Sequence, residues 1–521
     1  MRSRLMYALF GVLATLVGVA AGHLVAALLN PASSPVLAVG SQVIDLTPTD
    51  LKEWAIRHFG SNDKRVLIGS VMGGVLMLAG VAGLLARRRF VYGAGLQVLL
   101  VGVAAFTALH RPAAEGVDVV PSLAAVVTGV GALWLLVRRV PAVRGAQPDD
   151  DSAAAPGARG SGDAALSSGH SRRGVLITAG VLAAAAAVMG GAGRLIGQAR
   201  AKISDIAFPA AADAAPALPA GLDRQVPGIT PFRTSNADFY RVDTRLDVPV
   251  VDIDSWSLTI DGMVDKKLSF SFQDLLDMPL IERDITLTCV SNSVGGPYVG
   301  GARWLGVRLT DLLEQAGVQD GVDQIFSTDV DGMTIGTPYD LATDGRDAMI
   351  VVAMNGEPLP REHGYPVRMV VPGLYGFISA CKWIEKITLT TYADQDSYWT
   401  KREWATDAPI KISSRIDTPK VLEKIPSGDT FIGGVAWAQQ NGGVAKVQVR
   451  IDGEAWQDAQ LGPSGGNDYW RQWFIPWKAT SGSHTLACRV VDGAGQVQTD
   501  VRADPFPSGS SGVQSLVVTV A

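Results

Sequence analysis

Five apolar runs, all lying before residue 200, constrain this chain more than any other feature of its sequence. Four of them, about Leu5–Leu29, Val66–Ala86, Tyr92–Leu109 and Pro121–Val137, each approach the roughly 20 residues needed to cross a hydrocarbon core. The fifth extends from Ser171 to Gly197. One such run alone, the short third for instance, reads equally as a buried helix of a water-soluble core. A closely spaced series with few charges reads as a multi-pass membrane region. Arg2 and Arg4 precede the first run, Arg87, Arg88 and Arg89 follow the second, and Arg138 and Arg139 follow the fourth. That asymmetry places the N-terminus in the cytoplasm, although Lys64 and Arg65 run against it.

Residues 140–170 change abruptly to Ala, Gly, Ser, Asp and Pro, a composition with little to bury, and are expected to be a flexible linker. At the head of the fifth run, Ser171, Arg172 and Arg173 read either as the positive flank of a transmembrane helix or as an internal twin-arginine-like signal anchor. Both readings carry everything after about residue 205 to the extracytoplasmic side of the cytoplasmic membrane. There the texture changes. WSLTIDG, DAMIVVAM, YPVRMVVPG and WIEKITLT, separated by Gly, Asp and Asn, predict strands, with a helix over Gly306–Ala316. A connector follows around Pro409–Pro426, and then FIGGVAWA, VAKVQVRIDG, WRQWFIPW, GSHTLACRVVDGAG and GVQSLVVTV have the rhythm of a small immunoglobulin-like β-sandwich. The expected fold is therefore multidomain. It has a four-helix transmembrane region (1–139), the linker, a fifth transmembrane helix (171–197), a mostly β α+β domain (205–408) and a β-sandwich (409–521).

Charge narrows the function classes. Lys and Arg number 45 against 50 Asp and Glu, a net charge of −5, and no basic, aromatic-interleaved run marks a nucleic-acid binder. The three cysteines, Cys289, Cys381 and Cys488, form no CxxC pair. In TLTCVSNSVGG, Cys289 stands at a strand end before a polar, glycine-rich loop, suited to metal ligation or nucleophilic attack, or alternatively to quiet burial. Cys381 and Cys488 read as packed side chains. In REHGYPVRMVVPGLYGFISACKW, His363 is the one histidine of the central region and shares the segment with Arg368 and Lys382. Guanidinium, amine and imidazole together suit an anionic ligand; the alternative is an ordinary charged loop. One histidine and one cysteine are too few for the usual zinc centre. The glycine signatures of dinucleotide, P-loop and hydrolase sites are missing.

From about Gly228 to Ala521 the chain resembles the sulfite oxidase family of molybdopterin-dependent oxidoreductases. The resemblance rests on ITPFRTSNADFYRVD, on TLTCVSN with GGARWLGVRLTDLL, on MNGEPLPREHGYPVRMVVPGLYG followed by CKW, and on GGVAWA opening the last region. It implies a molybdenum-molybdopterin cofactor, with Cys289 as the thiolate ligand and Arg241 near the substrate. It also implies cofactor contacts from Asn236, Phe239, Tyr240 and Thr328, from His363 and Arg368 in an HGxPxR motif, and from Lys382 with Ser379. The interval from Pro372 to the Lys-Trp pair is one residue longer than the common family form.

The chemistry implied is oxygen-atom transfer, in either direction, on sulfite, a sulfoxide, an N-oxide or another small oxyanion. Two departures bear on substrate. The family's basic CAGNRR-like segment is here Cys289, Val290, Ser291, Asn292, Ser293 and Val294, and Trp404 stands where the family carries a tyrosine. The last region resembles the family's dimerisation domain, which implies a homodimer. His23 and His110 differ in membrane depth by about 9 Å at helical rise, so a cytochrome or quinone-linked electron partner is expected rather than a paired transmembrane haem. A membrane-tethered binding or structural protein without catalysis is the alternative from a different class.

Overall fold

The computed structural model describes residues 2–48, 51, 54–55, 58–59, 62–140, 170–200, 202–203, 205–439 and 441–521. All but the two end residues of the expected linker lie outside the described residues. The chain divides into two compact units, Met1–Lys202 with Thr244–Val248, and Ile203–Asp243 with Pro249–Ala521.

The first unit contains helices α1 (Arg2–Leu28), α2 (Pro35–Leu46), α3 (Asp63–Arg88), α4 (Phe90–Leu109), α5 (Val120–Arg138) and α6 (His170–Arg200). Among the described residues, five segments are long and apolar enough to span a bilayer: Ser3–Leu28, Lys64–Arg88, Phe90–Leu109, Gly116–Arg138 and Arg173–Arg200. They coincide with the five apolar runs. An apolar segment in lipid must satisfy its backbone internally, which makes the helix its natural form. Lipid tails supply no hydrophobic drive between helices, so small residues that admit close backbone approach set the contacts. A Cβ at Gly11 would collide with the Ala79 carbonyl, one at Gly83 with the Tyr7 carbonyl, and one at Gly18 would lie 2.6 Å from the Ala125 carbonyl.

In the second unit, one sheet orders as β3 (Ile281–Thr288), β4 (Val299–Arg308), β7 (Met349–Met354) and β8 (Glu357–Pro358), with β9 (Arg368–Val370) also on β7. The other orders as β2 (Leu268–Ser271), β1 (Ser257–Gly262), β10 (Ile384–Thr390), β5 (Gln324–Asp329) and β6 (Thr334–Pro338). β1 and β10 pair in parallel. β7 reads MIVVAM with every residue buried, as an interior strand covered on both faces must be. The expected helix over Gly306–Ala316 is shorter: α7 spans Leu309–Ala316. Gly306, Val307 and Arg308 instead complete β4, facing Val351, Ile350 and Met349 of β7. The helix buries Leu309, Leu312, Leu313 and Ala316 and stops at Gly317, whose φ of +67° suits the left-handed C-terminal cap.

The C-terminal β region forms two sheets. One orders as β11 (Ser413–Thr418), β13 (Gly428–Trp437), β17 (Arg471–Ala479) and β16 (Gln460–Leu461). The other orders as β12 (Lys424–Ile425), β19 (Gln514–Val520), β18 (Gly482–Asp492), β14 (Val444–Ile451) and β15 (Gln457–Asp458). Ile432, Val447, Trp473, Leu486 and Cys488 belong to one buried cluster drawn from both sheets. The segment expected as a connector carries β11, which pairs antiparallel with β13. Its inward Ser414 is buried with its hydroxyl on Gln498 Oε1 at 2.9 Å, a polar pair that hides the strand from a search for apolar alternation.

The crossing of α1 and α3 at Gly11 and Gly83 has no room for a side chain. Gly83→Leu should cost more than about 2 kcal/mol, in line with overpacked interiors, and lower the Tm of the full chain in detergent. Gly80→Leu, three residues away on α3 with nothing within 4 Å, should leave Tm nearly unchanged. Equal melting of the two variants would contradict the packing.

Candidate functional site

β3 and β4 are paired up to Thr288 and Val299, so Cys289 is the first residue beyond the ladder. Its N–H donates to the Tyr298 carbonyl at 3.0 Å, and its own carbonyl accepts from the Asn292 N–H at 3.0 Å. Asn292 is buried, and its Oδ1 accepts from the Tyr298 N–H at 2.9 Å. These bonds close the 289–298 connection into a tight loop at the sheet edge. The Cys289 side chain is 9% exposed. Burial pushes its thiol above the ordinary value, against hydrogen bonds from Ser291 and the charge of Lys382. A thiol so placed becomes a thiolate readily only when a cation binds it directly.

A second group forms where the chain turns at Arg361–His363 and re-enters the sheet as β9. The turn leaves through Gly364 at φ +114°, where a Cβ would lie 3.0 Å from the Arg368 Cβ and 3.2 Å from Lys382. Glycine therefore permits both the backbone conformation and the close approach. Arg368 and Lys382 are bridged as antiparallel neighbours. Arg368 Nη1 donates to the His363 carbonyl at 3.0 Å. Lys382 Nζ donates to the Glu362 carbonyl at 3.1 Å and pairs with Asp243 at 2.6 Å. His363 Nε2 lies 3.1 Å from the Asn236 carbonyl, which assigns it the ring proton.

Burial dominates the electrostatics of this group. It lowers His363 to about 4, assisted by the positive charges of Arg368 and Lys382. It lowers Arg368 to about 10. It lowers Lys382 to about 8 in spite of Asp243. Arg368 Nε is buried without a hydrogen-bond partner, and the guanidinium carbon lies 5.2 Å from the centre of the Trp304 ring. A buried guanidinium N–H left unpaired is costly, and the geometry calls for an anionic or hydrogen-bond-accepting ligand.

Asn236 is fixed by donating to the Met354 carbonyl at 3.2 Å and Glu357 Oε2 at 3.1 Å, and by accepting from Asn355 Nδ2 at 2.8 Å. The Phe239 ring stacks on Tyr240 at 5.2 Å and meets His363 edge-on at 5.5 Å. Burial, with Cys289 adding to it, holds the Tyr240 hydroxyl far above its usual range. The structure thus gathers Asn236, Phe239, Tyr240, His363, Arg368 and Lys382, and the Cys289 loop meets them through Tyr298, whose ring lies 6.3 Å from that of Tyr240.

The remaining expected residues are placed differently. Arg241 is turned onto Asp243 at 2.8 Å, the carboxylate it shares with Lys382. Ser379 is fully buried and its hydroxyl donates to the carbonyls of Leu374 and Tyr375, each at 3.0 Å. Thr328 stands on β5 opposite Lys386 and Thr334, in the other sheet. Trp404 is packed among Phe377, Trp399 and Phe506. Cys381 belongs to the central core, and burial pushes Cys488 up to about 12. Asp243 and Trp304 escape a reading of the sequence. Asp243 reaches Lys382 across 139 positions, and no local pattern announces such a partner. Among the described residues no three His, Cys, Asp or Glu side chains gather as a metal-holding group, so Cys289 offers a single soft donor.

Comparison with known proteins gives this geometry a context. The sequence pattern of a family described as "Oxidoreductase molybdopterin binding domain" matches residues 245–399. Mitochondrial sulfite oxidase of Homo sapiens is 31% identical over 324 residues, covering 52% of this chain and 58% of that protein. An inducible NADH nitrate reductase of Glycine max is 28% identical over 283 residues, covering 43% of this chain and 32% of that protein. The solved sulfane dehydrogenase SoxCD of Paracoccus pantotrophus shares the fold at a TM-score of 0.50 and 23% identity, covering 56% of this chain and 82% of that one. This chain spans under two thirds of the human enzyme's length. It contains a molybdopterin-binding oxidoreductase domain related to sulfite oxidase-like enzymes, joined to five candidate membrane spans.

The buried neutral histidine has a pH signature. An unfolded chain protonates histidine near 6.5, whereas His363 in the fold resists until about 4. Between those values the unfolded state binds more protons, so stability falls as pH drops through the window. His363→Gln should flatten the decline of Tm between pH 6.5 and pH 4 in the full chain. Parallel curves for the two proteins would show that His363 does not contribute this loss.

Proposed function

We propose that this chain is a membrane-anchored molybdopterin-dependent oxidoreductase that transfers an oxygen atom to or from a small substrate on the extracytoplasmic side of the cytoplasmic membrane. The observation that carries this reading is a buried set of cationic groups, including an unpaired Arg368 Nε, on the same matched domain as the buried Cys289 thiol at the end of β3. The donor set fits the cofactor. A soft sulfur suits a molybdenum centre already rich in sulfur, and Arg368 with Lys382 suits a phosphate and other anionic edges. When bound, the cofactor supplies two-electron oxygen-transfer chemistry.

The chain's own residues then have distinct tasks. Cys289 ligates the metal. Arg368, with its unpaired Nε, and Lys382 would hold the pterin and its phosphate. His363, held neutral by burial with Nε2 committed to the Asn236 carbonyl, offers its other ring nitrogen as an acceptor. Phe239 and Tyr240 form an apolar wall that keeps water from these charges, and Arg241 serves the substrate side. The two C-terminal sheets close as an immunoglobulin-like sandwich that pairs two copies of the chain. A cytochrome or quinone-linked partner exchanges the electrons.

Substrate choice follows from the loop beyond Cys289. Val290, Ser291, Asn292, Ser293 and Val294 bring no cation to the thiol, and Asn292 Oδ1 is engaged within the loop. A dianion gains little there, which supports sulfoxides and N-oxides ahead of sulfite.

The test is anaerobic oxidation and reduction of the purified molybdenum centre, followed by optical and EPR spectra, against sulfite, sulfoxides and N-oxides. Oxidation of the reduced centre by a sulfoxide or N-oxide is expected. Cys289→Ala should lose more turnover than the roughly 10–100-fold typical of altering a ligand's supporting contacts, with membrane insertion intact. Normal turnover with molybdenum retained in that variant would remove Cys289 from the mechanism. A topology reporter fused after residue 205 should be active only outside the cytoplasm; activity inside would reverse the assigned side.

A further inference from the structure

The loop that carries Cys289 is held from outside its own domain. Ser510, in the segment between β18 and β19, donates its hydroxyl to the Asn292 carbonyl at 2.6 Å. Arg415 of β11 donates Nη1 to the Gly296 carbonyl at 2.9 Å. Between those two points Gly295, at φ +79°, lies under Gln514, so closely that a Cβ would sit 2.5 Å from its Nε2. Gln514 is in turn fixed by accepting the Ile416 N–H at 2.6 Å.

Arg415 is itself immobilised. It is 9% exposed, its Nε pairs with Asp417 at 2.6 Å, and its Nη2 donates to Thr230 Oγ1 at 2.8 Å. The same Asp417 accepts the Thr230 N–H at 3.0 Å. The guanidinium therefore reaches Gly296 as a fixed, charge-assisted donor. Asn292 passes the restraint inward, because its side chain accepts the Tyr298 N–H and the Tyr298 carbonyl accepts the Cys289 N–H.

We infer that Arg415 and Ser510 are positioning residues for Cys289, so that the C-terminal β region is a working part of the site and not only a platform for association. The inference rests on Cys289 being the reactive thiol of the proposed function. The physical ground is that surface loops are ordinarily mobile, whereas a group that must meet a ligand within a fraction of an ångström needs a supporting shell. Here that shell comes from residues more than a hundred positions downstream.

The test uses the full chain, purified without cofactor, and follows alkylation of each cysteine by iodoacetamide with peptide-resolved mass spectrometry. Cys381 and Cys488 are buried in the two cores and report global opening, so the three thiols together separate local release from unfolding. Arg415→Ala and Ser510→Ala are each expected to speed labelling of Cys289 about tenfold, the effect of losing one charged or short hydrogen bond on a local opening. Cys381 and Cys488 should keep their rates, and Ser510→Thr, which retains the hydroxyl, should stay near the parent. An unchanged Cys289 rate, or a rise shared by all three cysteines, overturns the inference. Because no metal takes part, neither outcome depends on whether the molybdenum reading holds. In loaded enzyme, the same alanine variants should broaden or shift the Mo(V) EPR signal, and an identical signal would also count against the clamp.

Discussion

Positive charge buried without an equal negative charge is the constraint around which the second unit is organised. His363, Arg368 and Lys382 lie within one turn-and-strand system, and among the described residues only Lys382 has a carboxylate in salt-bridge contact. Arg368 makes do with a carbonyl and the face of Trp304. Removing such a group from water is expensive unless a partner compensates it. The fold meets part of that cost by neutralising His363 and by depressing Lys382, and leaves the remainder to a ligand. Gly364, with no side chain, and Asn236, tied down by three hydrogen bonds, keep these groups at a fixed spacing.

The thiol follows a related logic with the opposite sign. Burial disfavours its charged form, as it disfavours the charged forms of the neighbouring bases. Cys289 is consequently a poor free nucleophile, and in the proposed function a direct bond to the metal is what would offset the desolvation. Cys381 and Cys488 are just as buried, but they belong to the two apolar cores.

How much of this was legible in the sequence depended on how local each cause is. An apolar run of membrane length needs no partner to be recognised, and the five runs before residue 200 became five helices. The alternation of FIGGVAWA or GVQSLVVTV likewise reports a strand from within itself. The start of α7 was not legible, because Gly306 to Arg308 are held extended by β7, some forty positions later, with β3 also pairing Gly306. β11 was hidden by a buried serine whose partner is Gln498. In the site, His363, Arg368 and Lys382 share a stretch of twenty residues and declared themselves. Asp243 and the supports of the cysteine loop could not, since their partners lie more than a hundred positions away.

The two clamps on the cysteine loop grip main-chain carbonyls, those of Asn292 and Gly296. The clamps themselves read no side chain, although Asn292 is also needed for its bond to Tyr298 and Gly296 has no room for a Cβ. Ser293 and Val294 can therefore be exchanged during evolution without loosening Cys289, which is anchored at the ladder's end through Tyr298. The placing of the thiol and the chemistry of the loop's outer side chains are in this way assigned to different parts of one loop, and a lineage can vary the second while keeping the first.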